Sequence, residues 1–311
     1  MTRIIAIIVS FFLFFGSAGS APRGYSIDEN ADFSAVILSD MHMESNNPSR
    51  FKMIGSTLNG VFAGGNSPDV IAFTGDNTMN GQMIEWFLFY GFLNRFCKNS
   101  DVIAAMGNHD FGNSDSSSDY DRLSDRAIKS YNYYCRKNID NVYYSRDYGC
   151  VKLIALSSEQ NAPDTVSVIT DGEIDWLKGE LDECRETGKL AVVLNHNLIR
   201  GRNGERSYYS FNMTTNNDKL DAALTESGAD VIYVCGHSHF GLNDGTFSRD
   251  GKVSYVNLPS AGNERNYGAE GEYGEYGVGM LLEVYGDEAV ISFHNFAKGT
   301  DFEDFVFTVE R

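Results

Sequence analysis

Five short blocks hold the residues of this chain best suited to bind metal: Asp40-Met41-His42, Gly75-Asp76-Asn77, Gly107-Asn108-His109-Asp110, Asn195-His196-Asn197 and Gly236-His237-Ser238-His239. The sequence contains six histidines, and five of them sit in these blocks. The sixth, His294, stands outside these blocks and is expected on a strand face. Alternate residues of an extended chain point the same way, so Asp40 with His42, and His237 with His239, should each aim two donors into one space. Carboxylate and imidazole donors together suit Zn, Mn or Fe rather than Ca. Asp40, His42, Asp76, Asn108, His196, His237 and His239 are more donors than one ion takes, and a carboxylate such as Asp76 can bridge two ions. Two cations about 3.5–4 Å apart can clamp a phosphoryl group during in-line displacement and lower the pKa of water from about 16 to about 7. His109 is then free to protonate a departing alkoxide, with Asp110 expected to orient its ring.

These blocks must be positioned by the elements before them. Short apolar runs at Ser34–Ser39, Val70–Thr74, Val102–Met106, Val151–Ser157, Leu190–Leu194 and Val231–Cys235 have the length of buried strands. All five blocks stand at or just past the C-terminal end of one of these runs. In open α/β sheets that edge is where ligands bind. Helical patterns fill the intervals, at about Ser49–Ala63, Gln82–Cys97, Asp119–Lys137, Asp171–Glu186 and Asn217–Glu226; in the fourth, Ile174, Trp176, Leu177 and Leu181 are expected to share a face. After Gly251 the pattern alternates as in antiparallel strands, over Val253–Leu258, Gly279–Tyr285, Ala289–Phe296 and Phe305–Val309. The reading is a single α/β domain over 33–311, with its motifs in 34–241 and its C-terminal strands in 252–311. Between Gly262 and Gly279 six glycines and three tyrosines form either a mobile loop over the site or an ordinary turn.

With 311 residues, 42% of them hydrophobic, the chain has ample material for a core. Its net charge of -18 argues against binding nucleic acid backbones or anionic membranes. Residues 1–20 have a basic start, an apolar run from Ile4 to Phe15 and small residues after it, the pattern of a signal peptide. The chain is therefore expected to be secreted or periplasmic, with no membrane span after cleavage. The alternative is tethering by an uncleaved N-terminal segment. Export permits disulfides, and five cysteines leave at least one unpaired within the chain. Cys235 is the expected free thiol, the pairing of Cys97, Cys135, Cys150 and Cys184 stays open, and five plain core thiols are the competing reading. Arg200, Arg202 and Arg206 are either phosphate-binding forks or part of a solvated loop. Asp115–Asp125 is a polar loop that follows His109, and Asn212-Met213-Thr214 is a glycosylation sequon.

Taken together, the blocks resemble the calcineurin-like metallophosphoesterase family, whose pattern runs Asp-x-His, Gly-Asp, Gly-Asn-His-Asp or Glu, a lone His, then Gly-His-x-His. All five are present in order, and Trp176-Leu177 and Asn257-Leu258-Pro259-Ser260 extend the resemblance. The resemblance implies two mixed β-sheets sandwiched between helices in four layers. It implies one ion on Asp40, His42, Asp76 and His239 and another on Asp76, Asn108, His196 and His237. It also implies that Asn108 and His109 contact substrate, with His109 as proton donor paired with Asp110. The function implied is hydrolysis of a small phosphate ester, a monoester or a diester, by a hydroxide bridging two metal ions. The chain departs from protein Ser/Thr phosphatases in lacking Asp-Arg-Gly after Asp76, and from purple acid phosphatases in having His42 where they carry glycine. Asn197 stands where many relatives have His or Pro. A non-catalytic metal-binding protein on the same fold is the alternative.

Overall fold

A computed structural model describes residues 25–112, 120–159, 167–209, 214–263 and 265–311. The expected leader, residues 115–119 of the polar loop and Asn212 of the sequon lie outside the described residues.

The first apolar run forms β1 (Phe33–Leu38), and the chain continues through α1 (Pro48–Val61), β2 (Val70–Phe73), α2 (Met83–Phe96), β3 (Asp101–Ala104) and α3 (Tyr120–Cys135). The second half runs β4 (Tyr144–Asp147), β5 (Val151–Ala155), α4 (Asp171–Thr187), β6 (Leu190–Leu194), α5 (Asn217–Thr225), β7 (Val231–Cys235), β8 (Phe247–Asp250) and β9 (Val253–Asn257). It ends with β10 (Val278–Tyr285), β11 (Glu288–Asn295) and β12 (Thr300–Glu310). The expected strands and helices agree with these to within a few residues, except that β12 begins five residues early and β4 and β8 were not foreseen. Both of those are four-residue strands with half-exposed polar positions and no apolar run to announce them.

The strands make two mixed sheets of six, ordered β12-β11-β10-β1-β2-β3 and β4-β5-β6-β7-β9-β8. In the first, β1, β2 and β3 are parallel and β10 joins β1 antiparallel. In the second, β5, β6, β7 and β9 are parallel, with antiparallel β4 and β8 at the edges. Parallel strands buried on both faces read as unbroken apolar runs, and β6 shows why. Leu190, Val192 and Leu194 face the core shared with the first sheet, whereas Ala191 and Val193 pack with Ile174, Leu177 and Leu181 of α4 and Leu220 and Leu224 of α5. The four-layer sandwich of the sequence reading is therefore the observed fold. Among the described residues no helix is long and apolar enough to cross a membrane.

All five cysteines are free thiols, Cys184 and Cys235 buried and the other three half-buried. The disulfide expectation thus gives way to the competing one, thiols packed as small apolar side chains. Of the three arginines, Arg200 is exposed, as a solvated loop would have it, and the other two are engaged. Arg202 is bound by Asp221 and Asp250, and Arg206 is buried. His294 lies on β11, bonded to Ser292 and Asp301, as expected for a strand-face residue.

One buried carboxyl gives the fold a pH dependence. Thr170 caps α4 by accepting the Glu173 N–H, and Gly188 ends the helix in the left-handed region. The Glu173 side chain turns inward and accepts the Ser157 N–H at 3.1 Å. Burial pushes its pKa well above the usual 4.5, against that hydrogen bond and with help from Glu159. The folded state thus holds a proton that the unfolded chain releases near pH 4.5, and stability falls as pH rises through the window above that value. Glu173→Gln keeps an acceptor for Ser157 and removes the titration. At pH 8 it should melt a few degrees above wild type (about 2–4 °C per kcal/mol), and the gap should close at pH 5. A constant gap across that range in thermal melts would assign the effect to packing instead.

Candidate metal centre

The loops leaving β1, β2, β3, β6 and β7 meet at the C-terminal edges of the two sheets and bring the five sequence blocks together. Asp40 Oδ1 lies 3.0 Å from His239 Nε2 and 3.7 Å from His42 Nε2, and the two imidazole nitrogens are 3.1 Å apart. Asp76 Oδ2 is 3.7 Å from His42 Nε2 and 3.2 Å from His196 Nε2, which in turn is 3.1 Å from His237 Nδ1. Two donor groups result, Asp40, His42, Asp76 and His239 in one and Asp76, His196 and His237 in the other, with Asp76 common to both. Asn108 opens the single turn His109–Phe111 on the adjoining loop.

These donors fit a pair of transition-metal ions. Ligands about 2.0–2.2 Å from one ion lie roughly 3.0–3.6 Å from one another, close to the spacing found here. Nitrogen facing nitrogen and carboxylate oxygen facing nitrogen form a cage of lone pairs that a cation reconciles. The mixed N and O donors suit Mn, Fe or Zn.

The extended-chain account of how paired donors converge needs correction. Among the described residues, seven non-glycine residues have positive φ, and five of them are Asp40, His42, Asp76, His237 and His239, with φ from 47° to 62°. Each donor pair turns into the site through left-handed residues on either side of a normal one, not through a pleated strand. That conformation costs about 1–2 kcal/mol per residue and persists only where the surroundings hold it.

The restraints are visible. Asp40 Oδ2 accepts hydrogen bonds from the His237 N–H at 3.0 Å and from the Ser39 hydroxyl, and Ser39 is itself held by Thr74. Asp76 Oδ1 accepts the His109 N–H at 2.9 Å. Asn257 Nδ2 donates to Gly236 O at 2.9 Å. Its Oδ1 accepts from both Ser238 and the buried Arg206, which fixes the amide's orientation. Asn263 contacts His239 Nδ1. If the Asn263 amide oxygen takes the Nδ1 proton, Nε2 is left as the ligand atom.

The glycines are part of the same packing. A Cβ on Gly107 would overlap Asp76 Oδ1, and one on Gly236 would overlap Ser39 Oγ and Asp40 Oδ2. Gly236→Ala should therefore displace Asp40, costing about 1–3 kcal/mol in stability and about 10–100-fold in metal affinity. Calorimetric metal titration checks this, and an affinity equal to wild type would show that Asp40 yields without leaving the site.

The electrostatics concentrate negative charge. Burial opposes ionisation of Asp40, yet His239 and His196 hold its carboxyl well below the usual range. His196, with His109, does the same for Asp76 against its own burial. Burial lowers His42 far below an ordinary imidazole. His196 rises to about 9, because Asp76 and Asp40 outweigh its burial.

Asp110 has a different place from the one expected. Its two oxygens accept five hydrogen bonds, from the backbone and side chains of Asn77 and Thr78 and from Gly107 N–H. It locks the Gly75 and Gly107 loops together and does not orient His109. The His109 Nδ1–H donates to the Met79 carbonyl at 2.8 Å, leaving Nε2 as the other polar atom of a ring that stands edge-on to His42, 4.7 Å between centroids. Spacing could not reveal this, since the orienting group is a backbone carbonyl. Asn263 and Arg206 were likewise beyond reach, the first being 24 residues from His239 and the second acting only through Asn257, 51 residues further on. The glycine-rich segment is tied down by Tyr267 N–H to His239 O at 2.7 Å and Gly241 N–H to Tyr267 O at 2.8 Å.

Comparison with known proteins gives three findings. The family model for calcineurin-like phosphoesterases matches residues 33–241. A "probable cyclic nucleotide phosphodiesterase" of Rhodococcus erythropolis is 30% identical over 168 residues, 52% of this chain and 51% of that protein, so the match spans about half the length of each. In fold, the chain is similar to a purple acid phosphatase from yellow lupin (Lupinus luteus) seeds, with TM-score 0.62 and 15% identity over 90% of this chain and 54% of that one. It is also similar to a dimetal phosphatase of Danio rerio, with TM-score 0.61 and 10% identity over 90% of this chain and 99% of that one.

Proposed function

The chain belongs to the calcineurin-like phosphoesterase family, and from that premise we propose that it hydrolyses small phosphate esters at a two-metal centre. The observation that carries this reading is the sharing of Asp76 between two donor groups, each with imidazole and carboxylate donors in contact. Asp40, His42, Asp76 and His239 would hold one ion and Asp76, His196 and His237 the other, with Asn108 as the fourth donor of the second. Such a pair supplies Lewis-acid polarisation of the phosphoryl group and a hydroxide nucleophile near neutral pH.

The protein's own groups do the rest. The left-handed turns fix the donors in their converged arrangement. Asn108 and His109 sit together at the start of one turn and face the substrate phosphoryl group. Met79 fixes the His109 ring so that Nε2–H of the imidazolium delivers a proton to the leaving oxygen. Because Nδ1–H stays on the carbonyl, the ring after transfer is a single neutral tautomer. Asp110 keeps the two metal-bearing loops in register without touching substrate.

A diester is the favoured substrate class, in line with the cyclic nucleotide phosphodiesterase named among the relatives. The test is turnover of an aryl phosphate, a bis-aryl phosphate and a cyclic nucleotide by protein loaded with Mn, Fe or Zn, with metal content measured in parallel. Two ions per chain and metal-dependent release of product support the proposal. Two ions with no turnover on any ester would leave a metal-binding protein on this fold.

A further inference from the structure

The rings of His239 and His196 are held differently. His239 Nδ1 meets Asn263, whereas His196 Nδ1 has no hydrogen-bond partner among the described residues, although His196 is fully buried. Two chain segments close on the His196 ring instead: a Cβ on Gly75 would stand 2.7 Å from its Nδ1, and one on Gly107 2.7 Å from its Cδ2. With no acceptor to orient the ring, the direction of Nε2 depends on the backbone of the turn that follows β6.

That turn is fixed from three sides. The His196 carbonyl accepts the Gly236 N–H at 3.0 Å, and the His196 N–H donates to Asn195 Oδ1 at 2.8 Å. With its oxygen so engaged, the Asn195 amide presents Nδ2 to the Tyr233 hydroxyl, 2.7 Å away. The hydroxyl in turn donates its single proton to the Asn197 carbonyl at 2.8 Å. Tyr233 is thus bonded to the residues on both sides of His196. It lies beside Val193 in the parallel register of β6 and β7, packed in the core under α4 and α5, and both it and Asn195 are fully buried.

We propose that Tyr233 is a positioning residue for the ion of Asp76, His196 and His237, its hydroxyl clamping the turn that carries His196. The inference rests on the two-metal reading above and adds to it a residue from outside the five blocks. Groups behind a metal ligand typically cost about 10–100-fold in affinity when they are removed. Tyr233→Phe takes away one oxygen and keeps the ring, so that Asn195 Nδ2 and the Asn197 carbonyl lose a buried partner and the turn is free to shift.

Calorimetric titration with Zn, with metal content measured by elemental analysis, tests the clamp. Tyr233→Phe should bind the ion of the His196 group about 10–100-fold more weakly than wild type, and the ion of the Asp40 group, which does not include His196, as tightly as wild type. Asp40→Asn, which removes a donor from that other group alone, identifies the step belonging to each ion. Tyr255→Phe is the control for a merely structural role. Tyr255 is equally buried and packs on Tyr233 with 6.1 Å between centroids, but its hydroxyl bonds Asp221 and not the turn. It should lower the melting temperature and leave both affinities in place. Asn195→Ala breaks the clamp at its other member and carries the test if Tyr233→Phe does not fold. The double variant should lose no more than the larger single loss, as two groups acting through one contact do. Wild-type affinity at the His196 group in Tyr233→Phe, an equal loss at both ions, or the same loss in Tyr255→Phe would overturn the proposal while leaving the hydrolase reading intact. Wild-type protein that takes up no metal would end both.

Discussion

Asp76→Asn should strip both metal positions at once, with affinity falling by more than about 100-fold at each and turnover at ambient metal falling on the order of 10³-fold, some 4 kcal/mol of transition-state stabilisation. The substitution changes almost no volume, so its effect is one of charge and donor type. One oxygen must remain opposite the His109 N–H, which it accepts at 2.9 Å. The new NH₂ group then occupies the Oδ2 position, 3.7 Å from His42 Nε2 and 3.2 Å from His196 Nε2. It presents protons where both ions require a lone pair. Asp40→Asn is the control: Asp40 belongs to the first donor group alone, so its loss should leave the second ion detectable. Elemental analysis of the two purified variants reads the difference. Two ions retained in Asp76→Asn would remove the bridging role and the mechanism built on it.

His109→Asn should give the opposite signature, with full metal content and slow chemistry. The backbone N–H that holds Asp76 is unchanged by the substitution, so the bridge stays in place. What disappears is the ring that Met79 aims, and with it the proton for the leaving oxygen. General acid catalysis contributes about 10²–10⁴-fold, and it matters in proportion to the basicity of the leaving group. An alkyl ester should lose that factor, whereas an ester of an acidic phenol, which departs without help, should lose much less. Comparing kcat for the two esters in wild type and variant isolates the role. An equal loss on both would mean that His109 binds the phosphoryl group and does not protonate.

The two predictions rest on different kinds of information. That Asp76 and His109 belong to a metal site was readable from the chain, since both follow a short apolar run with glycine beside them. How His109 is oriented was not readable. The natural partner by spacing, Asp110, spends its oxygens on Asn77, Thr78 and Gly107, and a carbonyl thirty residues earlier in the chain does the orienting. A backbone acceptor leaves no mark in residue type. Likewise, Arg206 reads as a polar-loop arginine until the fold buries it against Asn257.

The sequence by itself determined every strand but β4 and β8, the helices, and the six carboxylate and imidazole donors that the fold brings together. Each of those is a local property: apolar runs of strand length, helical spacing, and ligand types at run ends. Only the tertiary structure decided how the runs divide between two sheets, which places β10 beside β1 across more than two hundred residues. It also decided that Asp40, His42, Asp76, His237 and His239 adopt left-handed backbone. No residue of those types prefers that conformation alone. It is imposed by contacts between segments distant in the chain, such as His237 N–H with Asp40 and His109 N–H with Asp76, and it exists only once the whole sandwich has formed.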